Sequence, residues 1–311
     1  MEPAKIIVPQ SIQKVLIANN MSENEGNKNT LYEIYGTDYF DTVYYDTAYA
    51  RAAVENLAGM LNYNNRFSAV TVDSLGFPLP GIPDDFTTGH IENIKTLCIE
   101  NEADALILLS SMDKKIDYSV YTSIFGGYYS LYTIFLTSRW LFIHPFSSRL
   151  VDQKLINDTL YYRIEGFWGT SEEGLYLTGR DLLKTAAEES AFSFGARISP
   201  HFVQTQRIIF KAGDRHIRRG YTQVEEGNWT DAALNWKTTL ESSDRTKKAR
   251  AAFNLALAAE MEGLLDPALV WAEESFRIFP DSLNQTYISI LRERIRQQED
   301  LILQIEGKPE E

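Results

Sequence analysis

The chain has 311 residues, of which 44% are hydrophobic and 23% charged, so a sizeable core is expected and extensive disorder is not. Its formal net charge of −13 disfavours nucleic acid and anionic membrane surfaces as partners, because phosphate groups repel an acidic protein. We therefore expect no nucleic-acid partner.

The residues that usually carry catalysis or metal binding do not occur in recognisable patterns. The single cysteine, Cys98, excludes an intrachain disulfide, and no Cys/His spacing typical of a zinc site is present. A phosphate-binding P-loop, a nucleophile-elbow serine motif and a metalloprotease helix motif are also missing from the sequence. Adjacent acids such as Glu188 and Glu189 point to different sides of a helix, which favours a solvated surface. We expect a protein that is not an enzyme and that needs no metal or cofactor.

The first part of the chain alternates strand and helix patterns. Strands are predicted over residues 5–9, 13–20, 67–72 and 103–109, and helices over residues 46–62 and 91–100. Two polar or Pro/Gly-rich stretches, residues 19–30 and 76–83, are predicted to be loops. This order indicates crossover units on an open sheet.

From residue 116 to residue 167 strand patterns follow one another without helices. They cover residues 118–122, 131–143, 147–155 and 160–166, and Asn157-Asp158 predicts a turn that joins the last two as a hairpin. A helix is then predicted over residues 181–198, closed by Pro200. The aromatic residues between 116 and 146 favour a large strand packed by the sheet and a helix, and a membrane-inserting hairpin is the alternative.

The last part of the chain contains an internal repeat. Gly227 and Gly263 are 36 positions apart, and each is followed five residues later by an alanine, Ala232 or Ala268. A glycine at a helix–helix turn tolerates positive φ, and small residues let two helices approach closely, with Gly220 expected to lie opposite Ala232. The repeat predicts two stacked helical hairpins.

Polar residues and a final amphipathic stretch complete the predicted hairpins. Thr230 and Asp266 are expected to cap the second helix of each hairpin, with Pro267 at the first helical position, and Ser243 to cap the helix between them. Residues 283–305 are expected to form a capping helix, and residues 307–311 a disordered tail. We predict an α+β domain over residues 1–210, a mixed sheet of α/β type with flanking helices, followed by an all-α helical array over residues 211–311.

The repeat resembles the tetratricopeptide family. The matching residues are Gly220, Gly227, Trp229, Ala232 and Trp236 in the first copy, and Ala256, Gly263, Leu265, Ala268 and Pro280 in the second. The resemblance implies that the first helices form a concave face that binds another protein or a peptide. By family position the candidate partner-binding residues are Tyr221, Glu225, Arg250, Asn254 and Glu260. Asn254 would either hydrogen bond an extended peptide or tie neighbouring helices together.

The first domain looks like the α/β domain of TolB amino-terminal and curli-assembly proteins. The matching features include the strand entry Glu102-Ala103-Asp104-Ala105-Leu106-Ile107 and the helix end Ile198-Ser199-Pro200. With Gly-Asn-Trp-Thr-Asp-Ala-Ala-Leu-Asn-Trp at residues 227–236, the whole arrangement resembles an uncharacterised envelope lipoprotein family of Bacteroidetes-type bacteria.

That resemblance implies a non-catalytic interaction or assembly module in the periplasm or at the outer membrane. The start of this sequence has no apolar leader and no lipid-bearing cysteine, so the envelope location and the lipid anchor are expected only if Met1 follows a removed leader. Otherwise we expect the protein to be cytoplasmic. Two other functions stay open: a pore or secretion component that uses the aromatic hairpin at residues 116–146, and an enzyme with a site between the two domains.

Overall fold

The computed structural model describes residues 1–21, 30–34, 37–40, 45–64, 66–72, 88–122, 128–166 and 172–305. The chain forms two compact units, one of residues Ala4–His201 and one that combines Met1–Pro3 with the residues from Phe202 onward. Residues 202–210, which the sequence assigned to the first domain, therefore pack with the helices that follow them.

The first unit contains a five-stranded mixed sheet in the order β4-β1-β5-β6-β7. The strands are β1 (Lys14–Asn19), β2 (Thr30–Ile34), β3 (Thr37–Phe40), β4 (Ser68–Val72), β5 (Ala105–Thr122), β6 (Tyr128–His144) and β7 (Arg149–Gly166). Strand β1 pairs in parallel with β4 and β5, whereas β5, β6 and β7 are antiparallel. Strands β2 and β3 form a separate antiparallel pair that the sequence did not predict.

The helices are α1 (Tyr45–Tyr63), α2 (Thr88–Glu100), α3 (Glu172–Ile198), α4 (Arg215–Glu225), α5 (Trp229–Thr239), α6 (Arg245–Met261), α7 (Leu265–Ile278) and α8 (Ser282–Ile305). The first three flank the sheet, and the last five form the helical array. The predicted fold class, a mixed sheet with helices followed by a helical array, is confirmed. No helix within the described ranges is both long enough and apolar enough to cross a membrane.

Strand β1 lies inside the sheet, between β4 and β5, and its residues are apolar on both faces. Val15 and Ile17 belong to the core that also contains α1 and α3, whereas Leu16 and Ala18 pack with α2. A parallel strand covered on both faces requires such a continuous apolar run. Burying Val15, Leu16 or Ile17 contributes about 1.5–3 kcal/mol each, so the run fixes the position of the strand.

The long antiparallel strands differ from the prediction. Strand β7 is continuous through Asn157 and Asp158, which pair with Thr137 and Leu136 of β6, so the predicted turn is wrong. The Thr137 hydroxyl donates a hydrogen bond of 2.9 Å to the Asn157 side chain. Pairing with β6 along almost the whole strand outweighs the local turn preference of an Asn-Asp pair.

Several large side chains of β6 lie in the core. Tyr132, Ile134, Leu136 and Trp140 are buried in the cluster that contains α1 and α3, and Trp140 stacks on Phe194 of α3 with ring centroids 5.3 Å apart. These residues therefore pack between the sheet and a helix.

Residues 5–9 do not form the predicted strand. The Ile6 amide donates to the Arg197 carbonyl, and the carbonyls of Val8 and Pro9 accept hydrogen bonds from the Arg66 guanidinium instead of from a neighbouring strand. Proline has no amide hydrogen to contribute to a ladder. Most of the two predicted loops, and the predicted C-terminal tail, lie outside the described residues.

The helical array has the predicted turns but not all the predicted caps. Gly227 and Gly263 have φ values of 79° and 76° between the helices of each hairpin, as the sequence predicted. A side chain at Gly220 would collide with Trp236, so the close contact of the first hairpin is with this indole rather than with Ala232. Helix α8 is present, and Tyr287 is buried along it.

The observed helix starts come earlier than predicted at two turns. Asn228, not Thr230, caps α5 by accepting a hydrogen bond from the Asp231 amide, and Leu264 precedes α7 without a side-chain cap. Thr230 and Asp266 therefore lie inside the first turns, because each helix begins directly after its glycine turn. Helix α6 is capped by Asp244 rather than Ser243.

Candidate functional site

An irregular segment of the chain lies along helix α6 just before the array begins. This segment, residues 206–212 (the linker segment), contains neither helix nor strand. Three side chains of α6 hold it: Glu260 binds the Arg207 side chain, Asn254 binds the Phe210 backbone and Arg250 binds the Ala212 carbonyl. We call the surface formed by Arg250, Phe253, Asn254, Glu260 and Tyr287 the α6 groove.

Asn254 binds the linker segment as a neighbouring strand would. Its side-chain amide donates to the Phe210 carbonyl at 2.8 Å, and its side-chain oxygen accepts from the Phe210 amide at 2.9 Å. Asn254 is fully buried, so both of its polar atoms need these partners. The two hydrogen bonds involve only backbone groups of the linker segment, and they fix its position without selecting its side chain at residue 210.

Glu260 is the charged centre of the groove. Its carboxylate is 2% exposed and accepts hydrogen bonds from Arg207 at 2.8–3.1 Å. The Tyr287 hydroxyl donates to the same carboxylate at 2.8 Å, and the Arg294 guanidinium also binds it. Two cations and one phenol therefore surround a single buried anion.

The partners of Glu260 keep it ionised. Burial alone would raise the Glu260 pKa, but hydrogen bonds from Arg207 and Tyr287 and the positive charge of Arg207 outweigh this effect, so the pKa lies below its ordinary value. The hydrogen bond to Glu260 raises the pKa of Arg207. Burial and the nearby carboxylate raise the pKa of Tyr287, which stays protonated and able to donate.

An aromatic pocket lies beside the charged centre. The Phe210 ring packs edge-on against Phe253, with centroids 5.2 Å apart, and Phe253 contacts Tyr287 at 4.8 Å. The Arg250 guanidinium lies 5.4 Å from the Phe210 ring centre. Phe210 thus lies between an aromatic wall and a cation, an arrangement that favours an aromatic side chain at this position.

The five residues singled out from the sequence do not all lie in the groove. Arg250, Asn254 and Glu260 contact the linker segment directly. Tyr221 lies on α4, where its ring is 5.9 Å from the Lys211 ammonium, and its hydrogen bond with the Glu225 carboxylate raises the Tyr221 pKa. The structure brings three of the five together in the groove, whereas Tyr221, with Glu225, lies outside it beside Lys211 of the linker segment.

A cleft continues the groove toward helix α8. It has a volume of about 490 Å³ and is bounded by Val203 and Arg207 on one side and by Ser289, Glu293 and Gln297 of α8 on the other. Among the described residues no cluster of three or more His, Cys, Asp or Glu side chains has the arrangement of a metal site. The groove can hold a peptide backbone, a guanidinium and an aromatic ring at fixed spacing.

The groove and the linker segment contain residues that no sequence pattern indicated. Arg207 and Phe210 precede the predicted array, and Tyr287 falls within the predicted capping helix without being singled out. An arginine and a phenylalanine three positions apart are too common a pattern to indicate a bound segment. Nothing in the sequence pairs Arg207 with Glu260, which lies 53 positions later.

Comparison with solved structures gives matches of low similarity. A Helicobacter pylori homolog of the neuraminyllactose-binding hemagglutinin has 12% identity and a TM-score of 0.32, over 64% of this chain and 89% of that chain. A PelC dodecamer from Paraburkholderia phytofirmans has 9% identity and a TM-score of 0.22, over 64% of this chain and 95% of that chain. These values support no inference about function. No curated protein matches the sequence.

Two families match the sequence itself. Residues 218–293, within the helical array, match the family described as Domain of unknown function (DUF6340). Residues 12–210 match the family described as Domain of unknown function (DUF8603). Because the second match spans more than half of the chain, the protein belongs to the DUF8603 family.

Proposed function

We propose that the protein is a non-catalytic protein–protein interaction or assembly module of the bacterial cell envelope, in which the helical array binds a segment of a partner protein. The proposal rests on one observation, that the array binds the linker segment of its own chain. Helix α6 holds the backbone of Phe210 through both polar atoms of Asn254, and its Glu260 holds the side chain of Arg207.

The combination of contacts is typical of peptide recognition. Backbone hydrogen bonds such as those of Asn254 supply affinity for any extended segment, and side-chain pockets supply selectivity. The α6 groove has both kinds of contact within one helix. The hairpins with glycine turns, and the close contact of Gly220 with Trp236, support a tetratricopeptide-type array.

The state of Glu260 supports a binding role rather than an acid–base role. A general acid or base needs a pKa near the working pH. The hydrogen-bond partners of Glu260 lower its pKa, so it lies further from neutral pH than that of an ordinary glutamate. The carboxylate therefore stays charged at neutral pH and is suited to bind a cation.

The envelope location is proposed from the resemblance to Bacteroidetes-type lipoproteins. A lipid anchor ahead of the present sequence would hold the protein at the membrane, and the acidic surface would keep it from adsorbing to anionic headgroups. The partner would then be a second envelope protein.

The proposal is tested by affinity purification of the full chain from its own cells. The variants are Arg207→Ala, which releases the linker segment from Glu260, and Arg219→Ala, which replaces an exposed arginine of α4 as a matched control. We expect a partner to be enriched about tenfold by Arg207→Ala relative to the wild type and to Arg219→Ala.

The captured partner is then identified by mass spectrometry. Its binding to the purified chain is measured by calorimetry. If the wild type, Arg207→Ala and Arg219→Ala retain the same proteins in the same amounts, the groove does not bind a partner. The assignment as an interaction module then fails.

A further inference from the structure

We infer that the linker segment is an internal occupant of the α6 groove that a partner peptide replaces, and that this peptide carries arginine followed three residues later by an aromatic residue. The inference rests on the proposed function and specifies the chemistry of the partner. It is drawn from the fit of residues 207–212 to helix α6.

The spacing of the contacts shows that the linker segment is extended and runs antiparallel to α6. Arg207, Phe210 and Ala212 bind Glu260, Asn254 and Arg250 in that order. An extended chain rises about 3.3 Å per residue and a helix about 1.5 Å. The three residues from Arg207 to Phe210 therefore span roughly 10 Å, and the six from Glu260 to Asn254 span roughly 9 Å.

The charged end of the groove selects a guanidinium. Arg207 donates through Nε to both oxygens of Glu260 and through Nη2 to one of them. A lysine ammonium is a single point charge and cannot reproduce this planar set of donors. Arginine is therefore preferred at this position.

The two residues between Arg207 and Phe210 contribute unequally to the selectivity of the groove. Ile208 is 54% exposed, so the groove does not select its side chain. Ile209 packs against the apolar cluster formed by α4, α5 and α6, which favours an apolar residue. The inferred partner sequence is arginine, any residue, an apolar residue and an aromatic residue.

The linker segment can leave the groove without leaving the Glu260 carboxylate unpaired. When Arg207 departs, Glu260 retains its contacts with Arg294 and the Tyr287 hydroxyl. An unpaired buried carboxylate would be strongly destabilising, so these partners keep the open groove folded. The cleft beside Val203 and α8 gives a longer peptide room to continue past the arginine position.

The attachment of the linker segment to its own chain determines how strongly an external peptide must bind. Because its tether is short, the linker segment has an effective concentration near the groove in the millimolar range. The more of the groove it occupies, the more weakly an external peptide binds. Removing the Arg207 side chain lowers this competition while leaving the groove residues unchanged.

The experiment measures binding of a synthetic peptide to the full chain. The peptide covers residues 203–213, has blocked ends and carries a fluorophore, and its anisotropy is followed with the wild type and with Arg207→Ala. We expect Arg207→Ala to bind the peptide at least about tenfold more tightly than the wild type does. The peptide should also raise the melting temperature of Arg207→Ala, because it restores the missing guanidinium.

Two altered peptides test the selectivity. Alanine in place of the arginine, or in place of the aromatic residue, should weaken binding to Arg207→Ala by about tenfold or more. Equal binding of all three peptides would overturn the inference. So would no binding to folded Arg207→Ala at millimolar peptide.

A second measurement uses the unmodified chain, so that an unstable variant leaves the inference testable. Peptide at millimolar concentration should accelerate hydrogen exchange of the Phe210 amide, whose acceptor is Asn254. Unchanged exchange would contradict displacement. A concentration-dependent dimer of the wild type that the peptide dissociates would assign the groove to a second copy, and the external partner would be wrong.

The outcomes separate this inference from the proposed function. If the peptide fails but a partner is still captured from cells, the interaction module stands and the peptide chemistry is wrong. If the peptide binds as expected and no partner is captured by any variant, the groove is correctly described and the envelope function is wrong.

Discussion

Two irregular segments of the chain are each held by an arginine, in opposite ways. Residues 8–12 are held by Arg66, which belongs to the folded unit and donates to the carbonyls of Val8, Pro9 and Ile12 at 3.0–3.1 Å. In the linker segment the arginine belongs to the segment itself, and Glu260 of the array receives it.

The difference determines what each site can select. Every residue has a carbonyl, so Arg66 holds residues 8–12 whatever their side chains are. Glu260 holds only a segment that presents a cation. The first arrangement is a structural clamp, and the second has the property that recognition requires.

The largest effect is expected from removal of the structural clamp. Arg66→Met removes the guanidinium that donates to the carbonyls of Val8, Pro9 and Ile12, of which Val8 and Ile12 are buried, and we expect the local stability to fall by about 3 kcal/mol. Hydrogen exchange of the Ile12 amide, which donates to Pro9, reports this loss, and the Phe210 amide should not change.

Arg66→Lys is the matched control for this prediction. Lysine keeps the charge but lacks the guanidinium fork, so its effect should lie between those of the wild type and Arg66→Met. If Arg66→Met and the wild type exchange at the same rate at Ile12, the clamp makes no contribution and the contrast between the two segments fails.

A smaller effect is expected from acid, and it should separate the two segments. The pKa of Glu260 is lowered in the folded protein, so its contribution is present above the ordinary value of 4.5 and is lost as pH falls through the folded pKa. Asp214, which caps α4, also has a lowered pKa; burial opposes this shift, and the amides of Ile217 and His216 and the Thr239 hydroxyl cause it.

Exchange of the Phe210 amide, corrected for its intrinsic pH dependence, should therefore accelerate below about pH 4.5, whereas that of Ile12 should not. Arg66 does not titrate in this range, because arginine stays protonated. Glu260→Gln should remove most of the pH dependence at Phe210. A Glu260→Gln variant with the same acid sensitivity as the wild type would show that other carboxylates hold the segment.

The sequence predicted the parts of the fold that depend on local pattern. The strand predicted over residues 13–20 is present as β1, and Gly227 and Gly263 predicted the two helical turns, because positive φ favours glycine wherever it occurs. The prediction failed at Asn157-Asp158, where pairing with a distant strand overrides the turn preference of the pair.

The sequence predicted only part of the candidate site. Asn254 was singled out as a residue that hydrogen bonds an extended peptide or ties helices together, and the structure shows it bound to the Phe210 backbone of its own chain. The identity of that segment depends on Arg207 and Glu260 meeting across 53 positions. Such a contact follows from packing of the whole array and leaves no local pattern.

The smallest effect is expected within the groove itself, at its exposed end. Arg250 donates to the Ala212 carbonyl at 3.1 Å, and its guanidinium lies near the Phe210 ring, but both contacts face solvent. Arg250→Ala should therefore accelerate exchange of the Phe210 amide by only about 0.5–1 kcal/mol in local free energy. Arg250→Lys, which keeps the charge near the ring, should lose less. If Arg250→Ala instead equals Glu260→Gln at Phe210, the exposed cation is as important as the buried carboxylate, and recognition would be spread along α6 rather than concentrated at Glu260.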